Sequence, residues 1–315
     1  MPTSSTNTEL REIRLDQIDR NPENPRIVFR PSELETLTES IRRYGVQVPI
    51  SVFKEGRRYV LVDGERRWRC SVKLNKTTIP ALVQEKPSAL DNLLLMFNIH
   101  ALREQWDLLT IALKLPRVMA LLSKGDKQPT ERELAVETGL SRGLLRRCRL
   151  LMELPDRYRE DLLDELNKPK NQQKLTEDFF IEMERSLKTV ERAIPSVIPN
   201  KDEVRDVLIT KYKKGTIRNI IDFRSLAKIA RADRVVSADR STATRVLRQV
   251  FEKNDYSIER AYEESVSGAY SERDLLTRID GIVDRLSGVS PPLDSDLQES
   301  LMRLQELITR LLRSK

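Results

Sequence analysis

Apolar and polar positions follow two rhythms along this chain, and the change from one to the other divides it. Between residues 9 and 85 the pattern is mixed. IRLDQIDRNPENPR reads as a short strand running into a turn-rich loop with Pro22 and Pro25. In SELETLTESIRRYG, Leu34, Leu37, Ile41 and Tyr44 recur at helical spacing, with Ser32 the expected N-cap and Gly45 the expected stop. VPISVF and RRYVLVD are β-rich runs around a KEG turn, which predicts a hairpin ending at Asp63. Gly64 breaks the second run, ERRWRCSVKLN opens a helix, and TTIPALV predicts a third strand. The first 85 residues thus read as a small mixed α/β unit.

From Ser88 the strand signal is gone. SALDNLLLMFNIHALREQW and DLLTIALKLPRVMALLS are helical in pattern, with Pro116 expected to kink or split the second. GDKQP, residues 125–129, is the first clear linker. Residues 130–235 read as helices with polar breaks at NKPKNQQK and IPSVIPNKD, and SADRSTATRVLRQVFEKN starts another helical stretch near 237. At the end, Leu275, Ile279, Ile282 and Leu286 step by 4, 3, 4. After the break GVSPP, Leu297, Leu301, Leu304, Ile308 and Leu311 step by 4, 3, 4, 3. This heptad seam predicts a dimerisation hairpin or, alternatively, an intrachain pair packed on the preceding helices.

Composition sharpens the picture. A length of 315 residues predicts two or three domains, and 33% charged against 39% apolar residues fits a helix-rich, charge-laced protein. Lysine and arginine outnumber acids 56 to 49, giving a net charge of +7, which points toward a polyanionic partner or simply a basic surface. Cys70 and Cys148 lie far apart without CxxC spacing, which argues against a disulfide framework, a zinc site or a redox pair; packed thiols are expected. His100 is the only histidine, which excludes a histidine metal cluster. No run approaches the roughly 18 apolar residues of a membrane span, and the N-terminus is polar, so the expectation is a cytoplasmic protein without a membrane partner.

Two constellations carry candidate chemistry. The first is DGERRWRC, Asp63 to Cys70. First-turn amides of a helix lack intrahelical acceptors and sit at the positive end of its dipole, so a strand, glycine, helix junction suits an anion. Gly64 lets a phosphate approach the main chain, and Arg66, Arg67 and Arg69 supply guanidinium forks. A solvated basic helix paired with Glu65 is the plainer alternative. The second is TERELAVETGLSRGLLRRCRLLMELP, residues 130–155. Leu134 and Ala135, then Gly139, then Leu140, Leu145 and Cys148 have helix-turn-helix spacing. Ser141 would cap a second helix carrying Arg142, Arg146, Arg147 and Arg149 with no acid before Leu151, as a helix in a major groove requires. An ordinary helical hairpin shares the apolar pattern but seldom such a charge load.

With both in hand, the chain from about Ile13 to Pro155 resembles the ParB family of chromosome and plasmid partition proteins. NPENPR, YGVQVPISV, VLVDGERRWR, an Asn-bearing helix and the helix-turn-helix ending LLMELP come in the family's order. The resemblance implies an α+β architecture. A sulfiredoxin-like nucleotide-binding domain would cover residues 9–104, a helical DNA-binding domain 105–235 with its helix-turn-helix at 130–151, and a helical dimerisation region 236–315. It implies CTP with Mg²⁺ as cofactor. Gly64, Glu65, Arg66, Arg67 and Arg69 would form the triphosphate loop; Gly45, Pro49 and Ile50 would face the base; Asn98 would help hold nucleotide and metal. It further implies a homodimeric, nucleoid-associated clamp on a specific double-stranded DNA site, read through Ser141, Arg142, Arg146, Arg147 and Arg149, with a ParA-like ATPase as a partner.

The chain departs from the family twice. Phe97 stands where the family has glutamate, and Arg103 comes two residues later than the pattern, so at most weak CTPase activity is implied. Val48 replaces the glutamine before the proline, with Gln47 one place earlier, which leaves base selectivity open. Two alternatives stand beside this reading: a transcription regulator without a nucleotide switch, and a metal-dependent nuclease using Asp63, Glu65 and Asn98. Trp68 and Trp106 read as packing anchors, and His100 as structural.

Overall fold

The computed structural model describes residues 8–24, 28–97, 107–123, 125–234 and 238–313, the side chain of Ser32 excepted. Five strands form one sheet: β1 (Glu9–Arg14), β2 (Ile18–Asp19), β3 (Ile50–Glu55), β4 (Arg58–Asp63) and β5 (Thr78–Gln84), in the order β1-β5-β3-β4-β2. The expected hairpin is β3–β4, antiparallel, turning where Gly56 takes a φ of 61°. The third β-rich run inserts between β1, to which it is antiparallel, and β3, to which it is parallel. The stretch expected as one short strand supplies two, β1 at one edge of the sheet and β2 at the other.

Residue alternation sorts the two faces. Ile50, Val52, Leu61, Ile79 and Ala81 pack with Ile13 and Ile18 on one side, joined by Trp68 from α2 (Glu65–Lys73). Phe53, Val60 and Val62 face the other, against Leu95 of α3 (Ala89–Met96). Helix α1 (Pro31–Tyr44) begins one residue before the expected cap: Arg30 holds the N-cap position and Pro31 the first turn, where its fixed φ fits and its missing N–H costs nothing. Gly45 ends α1 as expected, its N–H donating to the Ile41 carbonyl at 3.0 Å. Tyr44 is exposed rather than part of the apolar face.

The remainder is helical: α4 (Leu108–Leu122), α5 (Glu131–Thr138), α6 (Arg142–Met152), α7 (Asp156–Asn167), α8 (Glu177–Ala193), α9 (Lys201–Lys213), α10 (Phe223–Ala230), α11 (Arg240–Glu252), α12 (Ile258–Glu263), α13 (Ser267–Ser287) and α14 (Ser295–Arg313). Pro116 does not split α4; buried Leu115 and Val118 flank it, and tertiary packing outweighs the lost backbone hydrogen bond. The core centres on α8, where Phe179 meets Phe180, Tyr212 and Phe223 with ring centroids 5.2, 4.6 and 5.3 Å away. Arg205 donates to both carboxylate oxygens of fully buried Glu184 at 2.7 and 2.9 Å. Buried Lys211 donates to the carbonyls of Val250 and Tyr256, tying α9 to α11. One apolar core takes in Val28 and runs from Leu93 through Val246 and Leu247 to Val266, so it continues across residue 236. By contrast, α13 and α14 bury no residue, and Leu275, Ile279, Ile282, Ile308 and Leu311 of the seam are exposed.

Both thiols are packed, and burial pushes the Cys148 thiol up to about 12. No helix among the described residues is long and apolar enough to cross a membrane. At the start of α4 the Leu109 amide donates to Glu177 at 2.6 Å, while burial pushes this carboxyl up to about 7. The folded state therefore holds that proton more tightly than the unfolded chain, and the stability it contributes below the ordinary carboxylate range is lost as pH rises through about 7. Glu177→Gln keeps the acceptor and removes the titration. It is expected to stabilise the protein by about 1–2 kcal/mol near pH 8 and hardly at all near pH 5, as read by thermal unfolding at the two values.

Candidate anion cleft and nucleic-acid helix

β4 ends at Asp63, and Gly64 turns the chain into α2 with φ 94° and ψ 23°, a left-handed conformation that only glycine adopts at low cost. The space is as restrictive as the angle. A Cβ at Gly64 would lie 2.6 Å from Ile50 Cγ2 and 2.8 Å from Arg67 Nη2. No side chain caps the N-terminus of α2. The junction opens on a cleft of about 610 Å³ bounded by the end of α1 and the following loop (Gly45, Val46, Gln47, Val48), by Asp63 to Arg67, and by Arg30, Glu33 and Lys170.

The arginine string divides by direction. Arg66 Nη2 donates to the Glu33 carbonyl at 3.2 Å and lies 3.4 Å from the Glu33 carboxylate. Arg67 Nη2 donates to Asp63 at 3.1 Å, while its Nε is buried without an acceptor. A buried donor lacking a partner is costly, and an anion seated at the α2 start would supply the acceptor. Arg69 turns away: its Nε and Nη2 reach Glu65 at 2.9 and 2.7 Å, and its guanidinium lies 3.9 Å over the Phe29 ring. The Glu65 side chain, only 4% exposed, also accepts from Arg20 at 2.8 Å and Asn24 at 2.5 Å. Glu65 and Arg69 thus build a wall, and Arg66 and Arg67 face the cavity.

Of the other candidate positions, Gly45 lines the cleft. Pro49 and Ile50 are not among the lining residues; Ile50 is fully buried, packed beneath Gly64. Asn98, His100, Arg103 and Trp106 lie outside the described residues. Among the described residues no three His, Cys, Asp or Glu side chains gather to hold a metal ion. Sequence reasoning missed Arg30 and Lys170. Arg30 bonds Asp107 at 2.6 Å and the Leu166 carbonyl at 3.2 Å, joining the cleft wall to the helical body. Lys170 comes from the polar break after α7, and no local pattern marks it as a cleft residue.

The second constellation is a tight pair of helices. Thr130 and Glu133 form a reciprocal capping box on α5, Gly139 turns with φ 71°, and the Ser141 hydroxyl accepts from the Leu144 amide at 3.1 Å to cap α6. Leu134, Leu140, Leu145 and Cys148 are buried, as the spacing predicts. The four arginines of α6 lie on the surface and none is alone. Arg142 and Arg146 donate to Glu131, Arg149 lies 3.7 Å from it, and Arg147 pairs with Asp178.

The molecule is thus of α+β class: a sheet domain with a basic cleft at the Gly64 junction, followed by a helical body in which α5 and α6 form a tight pair with four arginines on α6. The profile of the ParB N-terminal domain matches residues 1–97. Residues 1–97 are thus similar to the ParB N-terminal domain, and the first half of the chain is similar to chromosome-partitioning ParB proteins. A probable chromosome-partitioning protein ParB of Pseudomonas putida is 35% identical over 150 residues, covering 47% of this chain and 49% of that protein. The chain spans about half the length of the curated relatives it matches. Among solved structures, the C-terminally truncated ParB of Caulobacter crescentus complexed to the centromeric parS site is 23% identical, covers 70% of this chain and 98% of its own, and has a TM-score of 0.43. The same protein complexed with CTP-γ-S is 26% identical, covers 57% and 99%, and has a TM-score of 0.29.

Proposed function

We propose that this chain is a partition-type DNA-binding protein in which CTP occupancy of the N-terminal cleft regulates how a dimer holds a specific duplex through α6. The observation that carries the reading is the Gly64 junction, where uncapped first-turn amides, Arg66, Arg67 and the unsatisfied Arg67 Nε converge on one cavity. That is the donor set of a polyphosphate site. Arg66 and Arg67 would grip phosphate oxygens, and Gly45 to Val48 would border the base. The choice of CTP rests on the likeness to ParB. Magnesium would be carried on the phosphate oxygens, with Asn98 as the protein ligand that this likeness implies.

Hydrolysis is not part of the proposal beyond a trace. Phe97 is fully buried in the helical core, so this position offers no carboxylate to orient water. The nuclease alternative is disfavoured for a related reason: Asp63 and Glu65, the acids it needs as ligands, already accept from Arg67 and from Arg20, Asn24 and Arg69. The exposed apolar faces of α13 and α14, spaced at 4 and 3, suit a second copy of this chain.

The DNA half is tested with the full-length chain and labelled duplexes. Arg146→Ala combined with Arg147→Ala is expected to weaken duplex binding by about 10–100-fold and to flatten its salt dependence. Anisotropy titrations over a range of KCl concentrations read both quantities. Unchanged affinity and slope would remove α6 from the DNA interface.

A further inference from the structure

We infer that Glu131 sets how sharply α6 discriminates among DNA sequences, by holding three of its arginines in a fixed fan; the inference rests on the DNA-binding reading above. Glu131 is the first residue of α5, and its side chain is only 16% exposed. Oε1 accepts from Arg142 Nε at 2.8 Å and from Arg146 Nη2 at 3.1 Å, and Oε2 accepts from Arg146 Nε at 3.2 Å. Arg149 Nη1 lies 3.7 Å from Oε2. The three arginines stand at i, i+4 and i+7, one stripe of α6. The α5 N-terminus does not need Glu131 for capping, because Thr130 and Glu133 already form the capping box.

A carboxylate and a phosphate diester offer the same kind of acceptor to a guanidinium fork. The backbone of an arbitrary duplex must therefore displace Glu131 to engage these arginines, and its attraction is reduced by the ion pairs it breaks. A matched base edge is affected differently. Arg142 gives only Nε to Glu131 and keeps both Nη groups outside the pair, and a guanidinium already ordered loses less rotamer freedom when it meets an acceptor. One acidic residue thus lowers the non-specific background while preparing the specific contact. Hydrogen bonds from Arg146 and Arg142 hold the Glu131 carboxyl below the usual range, so it stays charged at neutral pH.

The test uses the full chain, a labelled duplex of mixed sequence, and affinity selection from a pool of randomised duplexes. Glu131→Gln is expected to bind the mixed duplex about five- to tenfold more tightly and to enrich a broader set of sequences than the parent. Glu131→Asp keeps the charge but withdraws the carboxylate by one methylene, and is expected to broaden the selected set as well. If both variants match the parent in affinity and in selected sequences, the inference is overturned while DNA binding stands. A parent chain that enriches no sequence, with affinity indifferent to Arg146→Ala, would overturn the DNA-binding reading and this inference with it.

Discussion

Replacing Gly64 with alanine is expected to weaken nucleotide binding by about a hundredfold and to destabilise the protein by about 2–4 kcal/mol. Two costs add. A left-handed backbone is unfavourable for any residue with a Cβ, by about 1–2 kcal/mol. The new methyl would also press on fully buried Ile50 and on the Arg67 guanidinium. Arg67 would be displaced from the cavity it lines, taking with it the donor that lacks an acceptor. Gly56→Ala is the matched control: φ is again positive at 61°, but nothing lies within 4 Å of the added carbon. That variant should pay about 1 kcal/mol of strain and bind nucleotide as the parent does. Equal nucleotide affinity in the two variants would separate Gly64 from the site.

The second large effect belongs to Glu65. Its carboxylate is almost completely enclosed and accepts from Arg20, Asn24 and Arg69 together, so Glu65→Ala removes an acceptor shared by three side chains. Removing one partner from a buried, hydrogen-bonded ionic cluster costs about 3–5 kcal/mol. Thermal unfolding should show a drop of roughly 5–8 °C for a chain of 315 residues. Nucleotide affinity should fall less than in Gly64→Ala, because Arg66 and Arg67 keep their own partners on Glu33 and Asp63. Glu65→Gln retains the shape and part of the bonding and should fall between. A Glu65→Ala protein with unchanged stability but abolished nucleotide binding would make this residue a direct ligand instead of a wall.

How much of this was legible beforehand depends on the range over which each feature is decided. The β3–β4 hairpin, the Gly64 break and the start of α2 are fixed within a few residues, by alternation, a turn and a glycine, and all three are read from sequence. The α5–α6 pair is legible for the same reason: Leu134, Gly139, Ser141 and Leu145 act within two short helices. The start of α1 was misplaced by competition between neighbours, since Pro31 suits a first turn better than Ser32 suits the cap. Pro116 does not split α4 because propensity is local, whereas the contacts that keep the helix continuous through it are tertiary. What sequence could not reveal is which charges are already paired. Arg69 reads like its neighbours but is drawn to Glu65 and Phe29. The four arginines of α6 have no acid among them in sequence, yet Glu131 and Asp178 meet them in space. Lys170 lines the cleft from the helical body, and Arg30 at the start of α1 is tied to that body through the Leu166 carbonyl, pairings that no local pattern marks.

The measurement that bears most directly on the account is calorimetric titration of the full-length chain with CTP-γ-S and Mg²⁺, set beside the ATP analogue and an Arg66→Ala variant, with and without duplex DNA. The account predicts saturable binding of the cytidine nucleotide, weaker binding of the adenosine one, loss in the variant, and an affinity that DNA shifts, because coupling between two sites is reciprocal. No heat from either nucleotide, in the absence and presence of DNA, would contradict it and leave the cleft arginines to solvent or to a DNA backbone.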